Sequence, residues 1–295
     1  MDKIEKENYN MAGEIAKDVR EWSKRLIVEG MKIVEIANNI EKRIEELGGK
    51  IAFPVNICIN DITAHYTPKF NDNTVISKND IVSVDLGVHI DGYIADTAYT
   101  IDLSNKYKDL LNVNREALER VTEIIKPEMS VAEIGREVQK IINDAGYKPI
   151  ENLTGHEIKR YDLHAGISIP SINVPYNWKI RKDMVLAIEP FATDGYGRVI
   201  ESVHSEIFSF ENYKPVRMRE GRILLNEIEK RKKLPFAKRW YVNKINPLRL
   251  ELVLRELLSV NAIKKYPVLH EKDGGMVSQF EHTLIITGNG CNVIT

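Results

Sequence analysis

The sequence predicts an α+β fold made of two copies of one plan, a helix pair followed by antiparallel strands. Three observations predict it. First, Met31-Lys32-Ile33-Val34-Glu35-Ile36 recurs as Met129-Ser130-Val131-Ala132-Glu133-Ile134, and at the same spacing Ile40, Ile44, Gly48 and Lys50 meet Val138, Ile142, Gly146 and Lys148. Second, polar residues repeat too: His65 returns as His164, and KNDIVSVD ending at Asp85 returns as RKDMVLAIE ending at Glu189. A repeat kept only for packing has no reason to match acid with acid and histidine with histidine. The duplication therefore points to a site on a pseudo-two-fold axis. Third, Asp91-Gly92 is the dipeptide a two-residue type I′ turn prefers, and it splits an apolar run into a hairpin.

Taken in order, residues 8–28 carry Met11, Ile15, Val19, Trp22 and Leu26 at helical spacing. A second helix over 31–47 follows from Ile33, Ile36, Ile40, Ile44 and Leu47, with Gly48-Gly49 as its stop. The strand pair Ile81 to Leu103 comes next. The second copy opens with helices near 107–125 and 130–145, separated by Pro127 and stopped by Gly146. Its strands are interrupted, because the run ending at Glu189 finds its partner only at 276–287. Two further helical patterns lie between, about 216–233 and 247–263, the latter opened by Pro247 in the first turn. The expected organisation is a duplicated domain, 1–193 with 275–295, carrying an inserted, mainly helical subdomain at 194–274.

With 295 residues, 43% hydrophobic and 29% charged, the chain can bury a large core. A formal charge of −1 gives no overall attraction to nucleic acid or anionic membrane, so any such contact must be local. Cys58 and Cys291 lack zinc or redox spacing, which fits a reducing compartment. MDKIEKENYN is polar where a secretory signal needs an apolar run, and no stretch reaches the roughly 18 apolar residues of a membrane helix. The expectation is a cytoplasmic monomer with no membrane contact.

The hairpin carries the chemistry. Pairing Ile90 with Tyr93 sets Asp85 opposite Ala98 and Asp96 opposite Gly87, so both aspartates share one face as diagonal neighbours. Two carboxylates aimed at one spot repel unless a cation lies between them, and Gly87 is expected to leave room for it. The alternative is that one aspartate pairs locally while the other is solvated. His89 shares their face and stays open as a ligand, although a place beside the turn suits a hydrogen-bonded role. Glu189 ends VLAIE and Glu281 sits within QFEHTLII, each a charge in an apolar strand that is costly to bury unpaired. His156 adds a nitrogen donor with no counterpart in the first copy. Oxygen-rich sites with one imidazole suit manganese, iron(II), cobalt or zinc, and these five ligands suffice for two ions that share bridging carboxylates.

At these residues the chain resembles the type II methionine aminopeptidases. The resemblance rests on FPVN at 53–56, AHYTP at 64–68, DLGVHIDGYIADTA at 85–98, TGHEIKRYDLHAGISIP at 154–170, IEPFAT at 188–193 and QFEHT at 279–283. It spans nearly the whole chain, and the insert between Glu189 and Glu281 separates that subclass from type I. The resemblance implies the pita-bread fold, a pseudo-symmetric curved antiparallel sheet with helices outside. It implies ligation of two divalent metal ions by Asp85, Asp96, His156, Glu189 and Glu281. It also implies removal of initiator methionine from nascent chains when the second residue is small, a hydroxide bridging the two ions attacking the carbonyl and Glu189 handling the proton. His65 and His164 are then expected to hold the peptide group and stabilise the oxyanion or leaving amine. Phe53 and Leu163, close to motif residues, and Tyr266, by resemblance only, are the candidate pocket for the methionine side chain.

Two other readings remain at this stage. A proline-specific peptidase of the same fold is disfavoured by TGHEIKRYDLHAGISIP, which is not the glycine-rich histidine segment of prolidases. A non-catalytic relative binding ribosomes or RNA would have lost ligands, and none is lost. The basic run 230–239 is a candidate ribosome contact, weighed against an ordinary solvated helix end.

Overall fold

A computed structural model describes residues 1–295. Helix α1 (Lys3–Ser23) starts earlier than its apolar spacing implies, because Asp2 and Glu5 form a reciprocal capping box. Helix α2 (Ile33–Glu46) stops before Gly48, whose φ of 85° reverses the chain into strand β1 (Lys50–Ile59) and the short β2 (Ile62–Ala64). Strands β3 (Ile81–Ile90) and β4 (Tyr93–Asp102) form the expected hairpin, with Asp85 opposite Ala98 and Asp96 opposite Gly87. Asp91 and Gly92 both take positive φ, 48° and 87°, as a type I′ turn requires. The sheet order is β1-β3-β4. Pairing of β1 with β3 sets Asn56 opposite Asp85 and Phe53 opposite Gly87.

The second copy repeats the plan with α3 (Lys108–Ile124) and α4 (Val131–Asp144), the latter again opened by a capping box, Ser130 with Glu133. Strands β5 (Lys148–Pro149), β6 (Thr154–Lys159), β7 (Asp162–Pro170), β8 (Val185–Ile188) and β9 (Phe191–Thr193) follow. Then come β10 (Val199–Glu201), β11 (Ile207–Phe210), α5 (Arg219–Ile228), β12 (Phe236–Ala237), α6 (Pro247–Ser259), β13 (Ile263–Tyr266) and β14 (Leu269–Glu271). Strands β15 (Val277–Gln279), β16 (His282–Ile286) and β17 (Cys291–Val293) close the chain, and the larger sheet runs β17-β16-β8-β6-β7. One continuous apolar core links α1–α4 to both sheets, with Ile33, Ile36, Ile40 and Ile44 of α2 and Val131, Ile134, Val138 and Ile142 of α4 fully or almost fully buried.

The two halves meet at a seam between β4 and the segment 279–283. Ala98 bridges Glu281, with the Glu281 N–H donating to the Ala98 carbonyl at 3.1 Å. On either side hydroxyls replace backbone partners. Thr283 accepts from the Asp96 N–H (2.7 Å) and donates to the Asp96 carbonyl (2.8 Å), while Thr100 does the same for Gln279 (2.8 and 2.7 Å). This seam puts Asp96 beside Glu281.

Between β11 and β13 the chain builds a core of its own, where Leu224, Leu225 and Ile228 of α5 and Leu250, Val253 and Leu257 of α6 pack on Phe208, Phe236 and Ile263. These helices lie on a three-stranded sheet, β12-β11-β13, that helical periodicity did not reveal. Part of the basic run 230–239 is spent on contacts within the molecule. Arg239 is buried against Glu41 of α2, which also accepts from Trp240 Nε1 at 2.9 Å. Arg231 donates to the carbonyls of Ile51 (2.9 Å) and Ala52 (3.3 Å), Lys233 pairs with Asp162 at 2.5 Å, and Lys238 with Glu251 at 2.5 Å. Lys230, Lys232 and Lys233 stay exposed at the end of α5, so the run is part internal pairing and part solvated helix end. No helix is long and apolar enough to cross a membrane.

Candidate metal centre

Ten of the residues singled out from the sequence line one cavity of about 210 Å³: Phe53, His65, Asp85, Asp96, His156, Leu163, His164, Glu189, Tyr266 and Glu281. They arrive from several places in the fold. Asp85 and Asp96 come from the β3–β4 hairpin, His156 from β6, Glu189 from the end of β8 and Glu281 from between β15 and β16. Asp96, His156 and Glu281 are buried and each offers a ligand atom, all within 4.8 Å of one another. His156 Nε2 stands 3.7 Å from Asp96 Oδ2 and 3.4 Å from Glu189 Oε1.

Four carboxyls around one imidazole form an unfavourable cluster without a cation. Burial pushes Asp85 up to about 7, offset in part by the nearby Gln279 amide and Asp96 carboxyl and by the hydrogen bond from Asn56. Asp96 rises well above the ordinary aspartate value through burial and the charges of Asp85 and Glu189. Glu189 and Glu281 rise for the same two reasons, burial first and neighbouring carboxylates second. Burial lowers His156 to about 4, so its imidazole is neutral and able to ligate. Asp85 Oδ1, Asp96 Oδ1 and Glu281 Oε1 are buried with no hydrogen-bond partner. Unpartnered buried carboxylate oxygens beside a neutral imidazole are what a hard or borderline divalent cation requires, and the residues fit one.

Sequence reasoning erred on Gly87. Its place opposite Asp96 does not hold space for a cation, because a Cβ there would lie 2.2 Å from Phe53 Cε1. The pairing of Phe53 with Gly87 brings that ring over the glycine, so the vacancy forms the cavity's apolar wall. His89 is not brought to the site. Its Nδ1 accepts from the Gly92 N–H at 3.0 Å, its ring packs edge-on against Tyr161, and burial with the nearby Arg231 and Lys50 charges lowers it to about 4.

His65 and His164 both lie beside Tyr266, with ring centroids 5.6 Å and 6.3 Å from it, and His164 lies 4.5 Å from His156. His65 follows β2 at φ 62°, a left-handed conformation that a non-glycine residue holds only when its surroundings impose it. Its Nδ1 lies 3.2 Å from the Pro267 carbonyl. A carbonyl only accepts, so Nδ1 carries the proton and neutral His65 presents Nε2 as an acceptor. Burial lowers His65, and His164 is held well below the usual histidine value by the protein enclosing the cavity and by His156 and His65, although its ring is open to that cavity.

Asn56 and Gln279 also line the cavity and were missed. Asn56 Nδ2 donates to Asp85 Oδ2 at 3.4 Å. The Gln279 amide approaches Asp85 and Glu189 closely enough to lower both, without a well-directed bond from its nitrogen. Asn56 inside the apolar run AFPVNICI was the available signal. Ile207 and Pro235 reach the cavity from the inserted region and carried none.

Comparisons with known proteins show the family and the fold. A family model, metallopeptidase family M24, matches residues 7–288. The chain is 47% identical over 285 residues to a methionine aminopeptidase of Methanocaldococcus jannaschii, covering 96% of each chain. Among solved structures, a methionine aminopeptidase from Thermotoga maritima superposes with a TM-score of 0.74 at 22% identity, over 100% of this chain and 98% of that one. A prolidase from Pyrococcus furiosus gives 0.66 at 19% identity, over 100% and 64%. The structural likenesses establish a shared fold.

Proposed function

The chain belongs to metallopeptidase family M24, and on that premise we propose that it is a methionine aminopeptidase removing the initiator methionine from nascent proteins whose second residue is small. The observation that carries the reading is the convergence of five ligand candidates and two histidines on one cavity, in a chain whose 47%-identical relative bears that name over nearly its whole length. Asp85, Asp96, His156, Glu189 and Glu281 would hold two divalent ions, drawn from cobalt, manganese, iron(II) or zinc. Bound metal supplies Lewis acidity, which brings the pKa of water toward neutrality and polarises the scissile carbonyl.

This chain's own residues do the rest. Glu189, its carboxyl already raised, takes the proton of the attacking water and passes it to the leaving amine. His164 donates to the oxygen on which charge develops. His65, its proton committed to Pro267, accepts from an N–H of the substrate backbone. Phe53, Leu163 and Tyr266 hold the methionine side chain. Residues 1–193 with 275–295 form the catalytic unit, and 194–274 narrows the approach through Ile207, Pro235 and Tyr266. The protein acts as a cytoplasmic monomer on the N-terminal peptides of chains leaving the ribosome, and the exposed Lys230, Lys232 and Lys233 of the run 230–239 are a candidate ribosome contact.

Metal analysis of protein purified without added metal, paired with hydrolysis of Met-Ala-Ser, tests the reading. Cleavage of Ala-Pro peptides in preference to Met-Ala-Ser would replace it with the proline-specific alternative, whose fold the prolidase shares.

A further inference from the structure

The internal duplication supplies a control for which surface residues the fold itself requires. In the first copy the segment before β3 is held by Gly30 N–H to Ile76 O (2.8 Å), Ile76 N–H to Met31 O (2.9 Å) and Ile33 N–H to Thr74 O (3.1 Å). In the second copy the segment before β8 is held by Glu128 N–H to Ile180 O, Ile180 N–H to Met129 O and Val131 N–H to Trp178 O, all 2.9 Å. The bridges Lys32 with Val75 and Ser130 with Lys179 complete the match. The side chains differ sharply. Thr74, Val75 and Ser77 of the first copy become Trp178, Lys179 and Arg181 in the second. The same backbone forms without them, so their chemistry is not needed for folding.

That chemistry is aromatic and basic. Trp178 is 49% exposed and Tyr176 beside it 39%, their rings 5.3 Å apart, although large aromatics are normally covered. Lys179, Arg181 and Lys182 are exposed, and Asp183, the only carboxylate between 172 and 184, pairs instead with the N-terminal ammonium at 3.4 Å. The segment borders a groove of about 700 Å³ whose lining also carries Glu5, Glu157, Lys159 and Arg160, where Lys159 pairs with Glu157 at 3.3 Å and Arg160 with Asp91, so the free cations are those of the segment itself. In a chain of net charge −1 this is a local concentration of cations, next to faces on which planar groups can stack.

We infer that Trp178, Lys179, Arg181 and Lys182 form a docking surface for single-stranded RNA, phosphates meeting the cations and an unpaired base stacking on Trp178. A single strand offers both groups at once, a phosphate to each cation and a flat base face to Trp178. The choice of RNA over DNA rests on the proposed action on nascent chains, because such an enzyme works beside exposed RNA loops.

The test is binding of a labelled uridine oligonucleotide of about twenty nucleotides to the full-length metal-loaded protein, between about 50 and 200 mM salt. The comparison variant carries the first copy's own residues, W178T/K179V/R181S. Wild type should bind with salt-dependent affinity, and the variant should lose roughly tenfold or more, with a log–log salt slope shallower by about 1.4 for two lost phosphate contacts. Cleavage of Met-Ala-Ser, read separately, should be unchanged, so failure of the aminopeptidase reading and failure of this surface are told apart. If the triple variant does not fold, Lys182→Ser alone should lower the slope by about 0.7. The inference is overturned if wild type does not bind, if variants with intact folds bind as wild type does, if polyglutamate of equal charge binds as tightly, or if the matching DNA binds better than RNA.

Discussion

At the scale of single residues, the site is a set of charges that the fold holds together against their own repulsion. Asp96 and Glu281 are almost wholly buried; burial raises every carboxyl in the cluster, and neighbouring carboxylates raise Asp96, Glu189 and Glu281 further. Replacing Asp85 or Asp96 with Asn removes a charged ligand while relieving that repulsion. Each variant should therefore fold, lose activity and bind less metal; wild-type metal content by elemental analysis would remove that residue from the ligand set. The two histidines differ in what they can do. His164 makes no hydrogen bond to hold its ring nitrogens, so it is free to act as the donor, and His164→Ala should lower kcat by about 10² to 10³ with KM changed less and metal content unchanged. His65→Ala removes an acceptor for substrate and should lower kcat/KM, again without emptying the metal site. Loss of metal in either alanine variant would make that histidine a ligand.

At the scale of elements, the β3–β4 hairpin sets the ligand geometry, and its turn controls register. A one-residue slip would turn Asp85 and Asp96 to the opposite face. The turn is also tied to the second copy. Tyr161 N–H donates to the Gly92 carbonyl at 2.8 Å, Arg160 Nε donates to the Asp91 carbonyl at 2.9 Å, and a Cβ on Gly92 would lie 2.3 Å from the Tyr161 ring. Gly92→Ala should destabilise the protein by about 1–3 kcal/mol, combining the left-handed penalty with displacement of that ring. The check is a lower urea midpoint at unchanged m-value, and an unchanged midpoint would show that the turn does not hold the halves in register.

At the scale of the whole molecule, buried charge couples the parts. Arg239 and Glu41 join the inserted region to α2, and Glu41 is held above its usual value by burial despite the guanidinium beside it. Arg239→Met should leave Glu41 buried and unpaired, costing about 3–5 kcal/mol in denaturant unfolding. Because Ile207, Pro235 and Tyr266 reach the cavity from the region it anchors, KM should rise as well. The carboxyl cluster predicts a pH signature. Asp85 rises from 3.8 to about 7 in the metal-free fold, so it contributes stability fully present below about 3.8 and lost as pH rises through about 7. Metal favours the ionised carboxylates and reverses that sign. The gain in melting temperature on adding divalent metal to chelator-treated protein should therefore grow from pH 4 to above 7. A gain independent of pH would show that these carboxyls do not hold the metal.

Much of the fold and site was legible because its determinants are local or periodic. Apolar spacing located the helices, Asp91-Gly92 specified the turn and with it the register of Asp85 and Asp96, and the duplication carried His65 to His164 and Asp85 to Glu189. What escaped depends on contacts between distant segments. Asn56 meets Asp85 only because β1 pairs with β3, Phe53 fills the space over Gly87 through the same pairing, and Arg231 and Arg239 read as a solvated run until the chain folds them onto β1 and α2. By itself the sequence determined which residues are candidates for the chemistry and how the two copies correspond, since spacing and turn preference act over a few residues of backbone. Tertiary structure alone decided which residues hold those side chains in place and which cations remain free, because long-range packing and desolvation act between residues that no local pattern brings together.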